Sequence, residues 1–421
     1  MSSHAPESVV SDAAAWRTTR ASVIAWVLYD LANTTFALGV GSRYFAPWVV
    51  QTQGGRDWWI GLSTACAMLV VIIAAPWIGA LSDHVGKRRP FLIGSTLGCV
   101  AATALLATGG VRASLVLYGV ATVGFNLGAV VYDSLLADVS TERNRGLVSG
   151  LGVSVGYAGS ALALGLGAFV LPRFGYAWVF RSFAAAFLIF ALPAFVWVRD
   201  RPRESKPGKH PGVTDSPGML LRAWREAGRY PGVVRFLTAR FLYTDAINTD
   251  FQYIANYAKL ELRLSDQQTN VLALAGILAA GLGALVAGRS VDRLGPRAVL
   301  HSALYALVIA VVVAIGAKAS GLPALGWMVG LAGGSGLGSV WAADRVYMTR
   351  LSPADKLGQF FGLYAAVGRF ATVLGPLVWG LVADGLGLGR TAALAVLGGF
   401  VVVALIILQG VHEPDSGAVG A

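Results

Sequence analysis

Two acid–amide pairs in this chain sit where ionisable groups are expensive. Asp30-Leu31-Ala32-Asn33-Thr34-Thr35-Phe36 and Asp245-Ala246-Ile247-Asn248-Thr249-Asp250-Phe251 both read D-x-x-N-T-x-F. Each follows a Leu-Tyr pair, Leu28-Tyr29 and Leu242-Tyr243, with Thr244 inserted in the second copy. A spacing of three puts acid and amide on one helical face. Both copies lie in apolar runs long enough to cross a bilayer, where an ionised Asp costs about 2.5–3.5 kcal/mol. Such a carboxylate can bind an ammonium group or carry a proton, while the amide and the tyrosine hydroxyl serve either end of a polar solute. The structural alternative is an interhelical hydrogen-bonded pair that closes one face of the molecule. Arg240 and Arg369 are the cations available inside the bundle, within apolar segments. A guanidinium can hold a carboxylate or phosphate bidentately, or neutralise an Asp permanently.

The elements that position these groups follow from composition. Of 421 residues, 56% are hydrophobic and 13% are charged, against about 25% charged in soluble proteins. The chain is therefore expected to be an integral membrane protein, all-α, with twelve transmembrane helices. These are read at 21–47, 57–81, 90–110, 113–137, 145–171, 176–198, 232–259, 268–289, 297–317, 321–347, 358–384 and 389–411, each about 20 residues or more. The implied organisation is a tail (1–20), a six-helix bundle (21–198), a basic linker (199–231), a second six-helix bundle (232–411) and a closing tail (412–421). Within the linker, MLLRAWREAGR (219–229) has the pattern of a short helix lying in the membrane interface. Lys and Arg concentrate in the tails and alternate loops, which puts both termini and the linker in the cytoplasm. Arg43, near the outer end of the first segment, reads as an interfacial side chain or external gate.

The halves repeat a second time. Gly79-Ala-Leu-Ser-Asp83-His-Val-Gly86, followed by Lys87, Arg88 and Arg89, matches Gly288-Arg-Ser-Val-Asp292-Arg-Leu-Gly295. Both read G-x3-D-x2-G: the glycines permit a tight turn and close helix approach, and the Asp can cap a neighbouring helix. Asp133 and Asp344 add acids to segments 4 and 10, each 17 or 18 residues before a glycine, Gly150 and Gly362. With Arg145 they are expected to join Gly79, Asp83, Gly86, Arg88 and Asp292 in a cytoplasmic gate of ion pairs. Acids thus open each three-helix group, the internal-repeat signature of a two-half transporter.

GALSDHVGKRR after the second of twelve segments resembles the loop signature of the major facilitator superfamily. WVLYDLANTTFALGVGSRYF (26–45), LLADVSTERNRGLVSGLGVSVGYAG (135–159), FLTARFLYTDAINTDF (236–251) and RLSPADKLGQFFGLYAAVGRFATVLGP (350–376) are similar to its vacuole-effluxer-like branch, related to the fungal vacuolar amino-acid effluxer. The resemblance implies alternating access between two six-helix bundles, around a central cavity lined by segments 1, 4, 7 and 10. The chain departs from the branch at Thr34, where a small residue is usual, and at Thr244-Asp245-Ala246, where Asn-Asp-Gly is usual.

Other chemistries fail on context. The net charge of +11 lies in short loops, which argues against nucleic acid. The five histidines and two cysteines make no metal-ligand spacing, and no cofactor is expected. Gly152-x-Ser154-x-Gly156 and Gly334-x-Gly336-x-Gly338 lack the strands that a nucleophile elbow or dinucleotide loop requires; they read as small-residue packing surfaces. The expectation is a non-enzymatic secondary transporter of a small polar solute, amino acids first, monomeric, proton-coupled, in a bacterial inner membrane and possibly exporting. The binding and coupling residues are Tyr29, Asp30, Asn33, Arg240, Tyr243, Asp245, Asn248 and Arg369. Two rivals stand beside it: proton-driven efflux of amphipathic drugs or lipids, and a solute receptor that does not transport.

Overall fold

The computed structural model describes residues 18–203, 216–230, 232–322 and 324–411. The closing tail (412–421), most of the opening one (1–17) and the middle of the linker (204–215) lie outside the described residues. Every regular element among the described residues is helical. They are α1 (Arg20–Phe36), α2 (Asp57–Val85), α3 (Arg89–Ala104), α4 (Gly110–Ser134), α5 (Arg145–Phe174), α6 (Tyr176–Trp197) and α7 (Ser216–Ala227). There follow α8 (Val233–Leu260), α9 (Asp266–Leu294), α10 (Pro296–Ser320), α11 (Leu325–Leu351), α12 (Leu357–Phe370), α13 (Leu374–Gly380) and α14 (Gly389–Gln409).

Nine helical runs among the described residues are long and apolar enough to cross a membrane. One of them, Arg20–Thr52, continues α1 through π-helical turns at Ala37–Tyr44 and Trp48–Thr52. Another, Ala354–Gly385, takes in both α12 and α13. The three remaining expected segments are helical but fall short. α3 has only 16 residues, α8 carries Arg235, Arg240, Asp245 and Asp250, and α11 is rich in glycine.

The helices divide into two compact units. Unit 1 holds residues 1–142, 155–223 and 353–365; unit 2 holds 143–154, 224–352 and 366–421. Within unit 1, α1 packs on α6, α6 on α3, α3 on α4 and α4 on α2. Within unit 2, α8 packs on α14, α14 on α10, α10 on α11 and α11 on α9. Each repeat therefore builds the same neighbour scheme from corresponding helices.

Both unit cores combine ring contacts with close backbone approach. Unit 1 is held by a ladder of rings: Trp26 stacks on Tyr132 with centroids 4.4 Å apart, and Tyr29 stacks on the same tyrosine at 5.0 Å. The Trp26 indole also donates to the Tyr132 carbonyl at 3.0 Å. Unit 2 relies on close backbone approach. The glycines of 334–338 lie within α11, and Gly338 faces the Ala280 carbonyl on α9 so closely that no side chain would fit. Gly156 lies within α5 beside Thr34. Both glycine motifs are thus inside helices, as packing surfaces require.

Candidate functional site

The broken stretch of Ala354–Gly385 organises the polar residues of unit 2. Pro376 has no N–H to give the Thr372 carbonyl and disfavours helical geometry at the preceding residue. The chain responds with a tightened turn, Thr372 N–H to Arg369 O at 3.3 Å and Val373 N–H to Phe370 O at 3.2 Å, before α13 restarts. The Gly375 N–H is thereby released from the helical pattern, and it donates to Asp245 Oδ1 on α8 at 2.8 Å. Asp245 is fully buried, and its Oδ2 has no hydrogen-bond partner. Gly375 permits this approach: a Cβ there would lie 2.9 Å from Asp245 Oδ2 and would overlap Thr249 Oγ1. Pro76 and Pro193, by contrast, lie inside unbroken helices.

One turn before Asp245 on the same helix, Arg240 places its Nε 3.4 Å from Asp344 Oδ2. The Tyr243 hydroxyl donates to the same oxygen at 3.4 Å. Arg240, Tyr243 and Asp344 are all buried. Gly368 leaves room for the guanidinium, since a Cβ there would come within 2.7 Å of Arg240 Nη1. Asp344, expected at the gate, thus joins the binding-site candidates. Arg240 is a cation at this buried carboxylate, and Arg345 donates from its Nε to the Ser149 hydroxyl at 2.7 Å. Asn248 and Arg369 are half-buried on α8 and at the end of α12.

The unit 1 copy is arranged differently. Asp30 is half-buried and lies by Gly156 of α5, where a Cβ would come within 3.5 Å of its Cγ. α5 runs unbroken from Arg145 to Phe174, without the break that frees the Gly375 amide. Asn33 is buried with no partner for its Oδ1. Tyr29 is buried in the ring ladder with its hydroxyl 2.6 Å from Thr96 Oγ1, which makes it a core residue that holds α1 in place.

The two G-x3-D-x2-G acids are equivalent caps. Asp83 accepts Gly358 N–H at 3.0 Å and Gln359 N–H at 2.8 Å, at the start of α12. Asp292 accepts Gly146 N–H at 2.6 Å and Leu147 N–H at 2.8 Å, at the start of α5. Each satisfies two orphan donors and faces the positive end of a helix dipole. Gly79 sits against the Gly358 backbone with no space for a Cβ, and Gly86 closes α2 with φ 72°. Arg88 is fully buried; it donates to Asp83 at 2.8 Å and to the Ser134 carbonyl at 2.9 Å. Asp133 and Arg145 are half-buried.

Asp138, near Asp133 in sequence, and the linker residues Asp200 and Arg203, which the sequence did not single out, complete this end of unit 1. Asp138 lies 3.8 Å from Arg88 and binds both terminal nitrogens of Arg203, one at 3.0 Å. Asp200 accepts the Arg88 and Arg89 amides at 2.8 and 3.0 Å. Burial works to lower the Arg203 guanidinium, but the Asp138 carboxylate outweighs it and the net direction is upward. The cap positions carried a signal: Gly146 and Gly358 each stand four residues before the matched Gly150 and Gly362. At the opposite end of unit 2, Glu261 is tied to Lys318 and Arg390. The Lys318 hydrogen bond, with Arg390 adding to it, lowers its carboxyl below the usual range.

Residues 58–417 match the family model described as vacuole effluxer Atg22 like. The chain is 24% identical to an uncharacterised MFS-type transporter, YxiO, of Bacillus subtilis, over 93% of this chain and 95% of the relative. It is 26% identical to autophagy-related protein 22 of Yarrowia lipolytica over 56% of this chain and 45% of that protein. Among solved structures it resembles the human organic anion transporter MFSD10, with a TM-score of 0.72 at 20% identity, covering 92% of this chain and 98% of the other. It also resembles the proton:xylose symporter XylE, with a TM-score of 0.71 at 14% identity, covering 96% of each chain. These likenesses establish the major facilitator fold.

Proposed function

Because the chain belongs to the vacuole effluxer Atg22-like family of the major facilitator superfamily, we propose that it is a secondary active transporter for a small zwitterionic solute, amino acids first. In this reading twelve helices form two six-helix halves, both termini are cytoplasmic, and the protein works by alternating access as a monomer in a bacterial inner membrane. The observation that carries it is Asp245, a buried acid with one oxygen on the Gly375 amide and the other without a partner. That free oxygen is a place for an ammonium group or a proton. Discontinuous helices at membrane depth are where transporters of several folds bind substrate and coupling ion.

The roles divide by charge. Asp245 takes the ammonium group or the coupling proton, with Asn248 beside it on the same face. Arg240 is held by Asp344 and Tyr243 keeps that pair aligned; Arg369, half-buried at the end of α12, is the second candidate for a substrate carboxylate. Asp30 and Asn33 are the counterparts in the first half, and Asp83 and Asp292 act as gate caps. A gradient of one pH unit supplies about 1.4 kcal/mol, and 100 mV about 2.3 kcal/mol per charge. Either is enough for tenfold-scale accumulation. Export is the direction that the family description favours.

The test is solute-driven current or pH change in proteoliposomes, with a panel of amino acids beside sugars, organic acids and cationic dyes. Each hit is repeated with Asp245→Asn. A response to amino acids that the variant abolishes supports the proposal. A response only to hydrophobic cations moves the assignment to drug efflux, and one only to organic acids moves it to anion transport. Binding without movement points to a receptor.

A further inference from the structure

The linker helix α7 leaves both its arginines and two bulky apolar groups exposed. Met219, Ala223 and Ala227 are buried and follow one another at intervals of four, which makes one face. On the opposite side Leu221 is 60% exposed and Trp224 41% exposed. Arg222 and Arg225 are exposed beside them, and Arg229 follows just past the helix end. The one acid among them, Glu226, is engaged by Arg229 at 3.2 Å. A helix that only needed solubility would not offer a tryptophan and a leucine to water between three cations.

The position of α7 is fixed by its neighbours. Hydrogen-bonded turns, Tyr230 N–H to Ala227 O at 3.0 Å and Val233 N–H to Tyr230 O at 3.2 Å, join its last residue to the first of α8. Just inside α8, the Arg235 guanidinium donates to the Gly410 carbonyl at the end of α14 at 2.7 Å. The end of α7 is thus held at the level where two long helices of unit 2 terminate, which in a membrane-embedded protein is the headgroup layer. There an apolar pair can enter the acyl boundary while guanidinium groups meet phosphates.

We propose that the outer face of α7 is a binding site for anionic phospholipid. Leu221 and Trp224 insert at the acyl boundary, and Arg222, Arg225 and Arg229 hold the headgroup phosphates. The occupant is the bilayer itself: the exposed side carries apolar groups suited to acyl chains and cations suited to phosphates, and its tether holds its end where α8 and α14 terminate. The proposal does not depend on what the protein transports or on which side of the membrane the linker lies.

The test uses the full-length protein in nanodiscs of phosphatidylcholine alone or mixed with phosphatidylglycerol, with bromine on the upper acyl chain of one lipid at a time. The Trp224 contribution to fluorescence quenching is isolated by subtracting the Trp224→Phe protein. Brominated phosphatidylglycerol is expected to quench Trp224 more strongly than brominated phosphatidylcholine. Each Arg→Gln change at 222, 225 and 229 should reduce that preference by about fivefold, the equivalent of about 1 kcal/mol per basic residue near an anionic surface. Added inorganic phosphate should leave the preference unchanged. Equal quenching by both lipids, loss of the preference to inorganic phosphate, or quenching by aqueous iodide alone would overturn the proposal. The last result would assign the face to water or to a soluble partner. Far-ultraviolet circular dichroism of each variant confirms that the comparison is made on folded protein.

Discussion

The Asp245 carboxylate reaches from α8 to the Gly375 amide of α13 at 2.8 Å, and so stands in for the helical partner that the break removed. The bond separates two jobs that substitutions can take apart. Asp245→Asn keeps a carbonyl oxygen for the amide and removes only the charge. That variant should melt close to wild type, while its transport rate becomes flat across pH. Asp245→Ala strands a buried N–H and should lose about 1–3 kcal/mol of stability. Thermal melts with a pH–rate profile in proteoliposomes check both. A pH-dependent Asp245→Asn protein would remove this residue from the coupling step.

The break itself can be closed or jammed. Pro376→Ala returns an N–H to the Thr372 carbonyl and should lengthen the helix, raising stability while slowing transport. Gly375→Ala drives a methyl into Thr249 and Asp245 and should cost about 1–3 kcal/mol through overpacking. Opposite shifts in melting temperature with a shared loss of rate are the expected pattern.

Arg240→Gln leaves Asp344 buried without its cation, which should destabilise by about 3–5 kcal/mol. The double variant Arg240→Gln with Asp344→Asn should recover most of that, because the uncompensated charge is gone. A double-mutant cycle on unfolding free energies measures the coupling.

Asp83→Ala and Asp292→Ala each expose two amides at a helix start, and each should cost about 1–2 kcal/mol. The Asp83 loss should be the larger, since Arg88 also loses its 2.8 Å partner in a buried site. Chemical denaturation of the two single variants ranks them.

Much of this was legible because repeats and hydrophobic runs are sequence properties. The helical class, the matched acid–amide pairs and the turn acids all follow from period, spacing and the expense of charge in lipid. What was not legible depended on distance along the chain. Asp344 sits among gate-like residues in sequence, yet it pairs with Arg240, more than a hundred positions away. Tyr29 precedes an acid as Tyr243 does, yet stacking on Tyr132 takes it into the core. No local pattern distinguishes a ring that lines a cavity from one that fills a ladder. Pro376 stands at the break, whereas Pro76 and Pro193 lie in equally apolar stretches inside continuous helices.

Acid should loosen the Glu261 cluster. Its carboxyl is lowered in the folded protein, so its stabilisation is present above the unfolded value near 4.3 and fades as pH falls through the folded one. Wild type should therefore melt slightly higher than Glu261→Gln at neutral pH, by about 1–2 °C for so exposed a cluster. The gap should vanish under strong acid. A melting series across pH reads the crossing directly.

The broken stretch has one more effect, on insulation. The Gly375 amide is given to Asp245 and Pro376 has no amide, so the carbonyls of Ala371 and Thr372 do without the usual donors four residues on. A carbonyl short of its helical donor at membrane depth is a place that water or a passing ion can solvate. Water held there would lower the membrane's resistance to charge at that depth. A slow leak of protons in the absence of solute is where this would first be felt, as an ohmic background that Pro376→Ala should suppress.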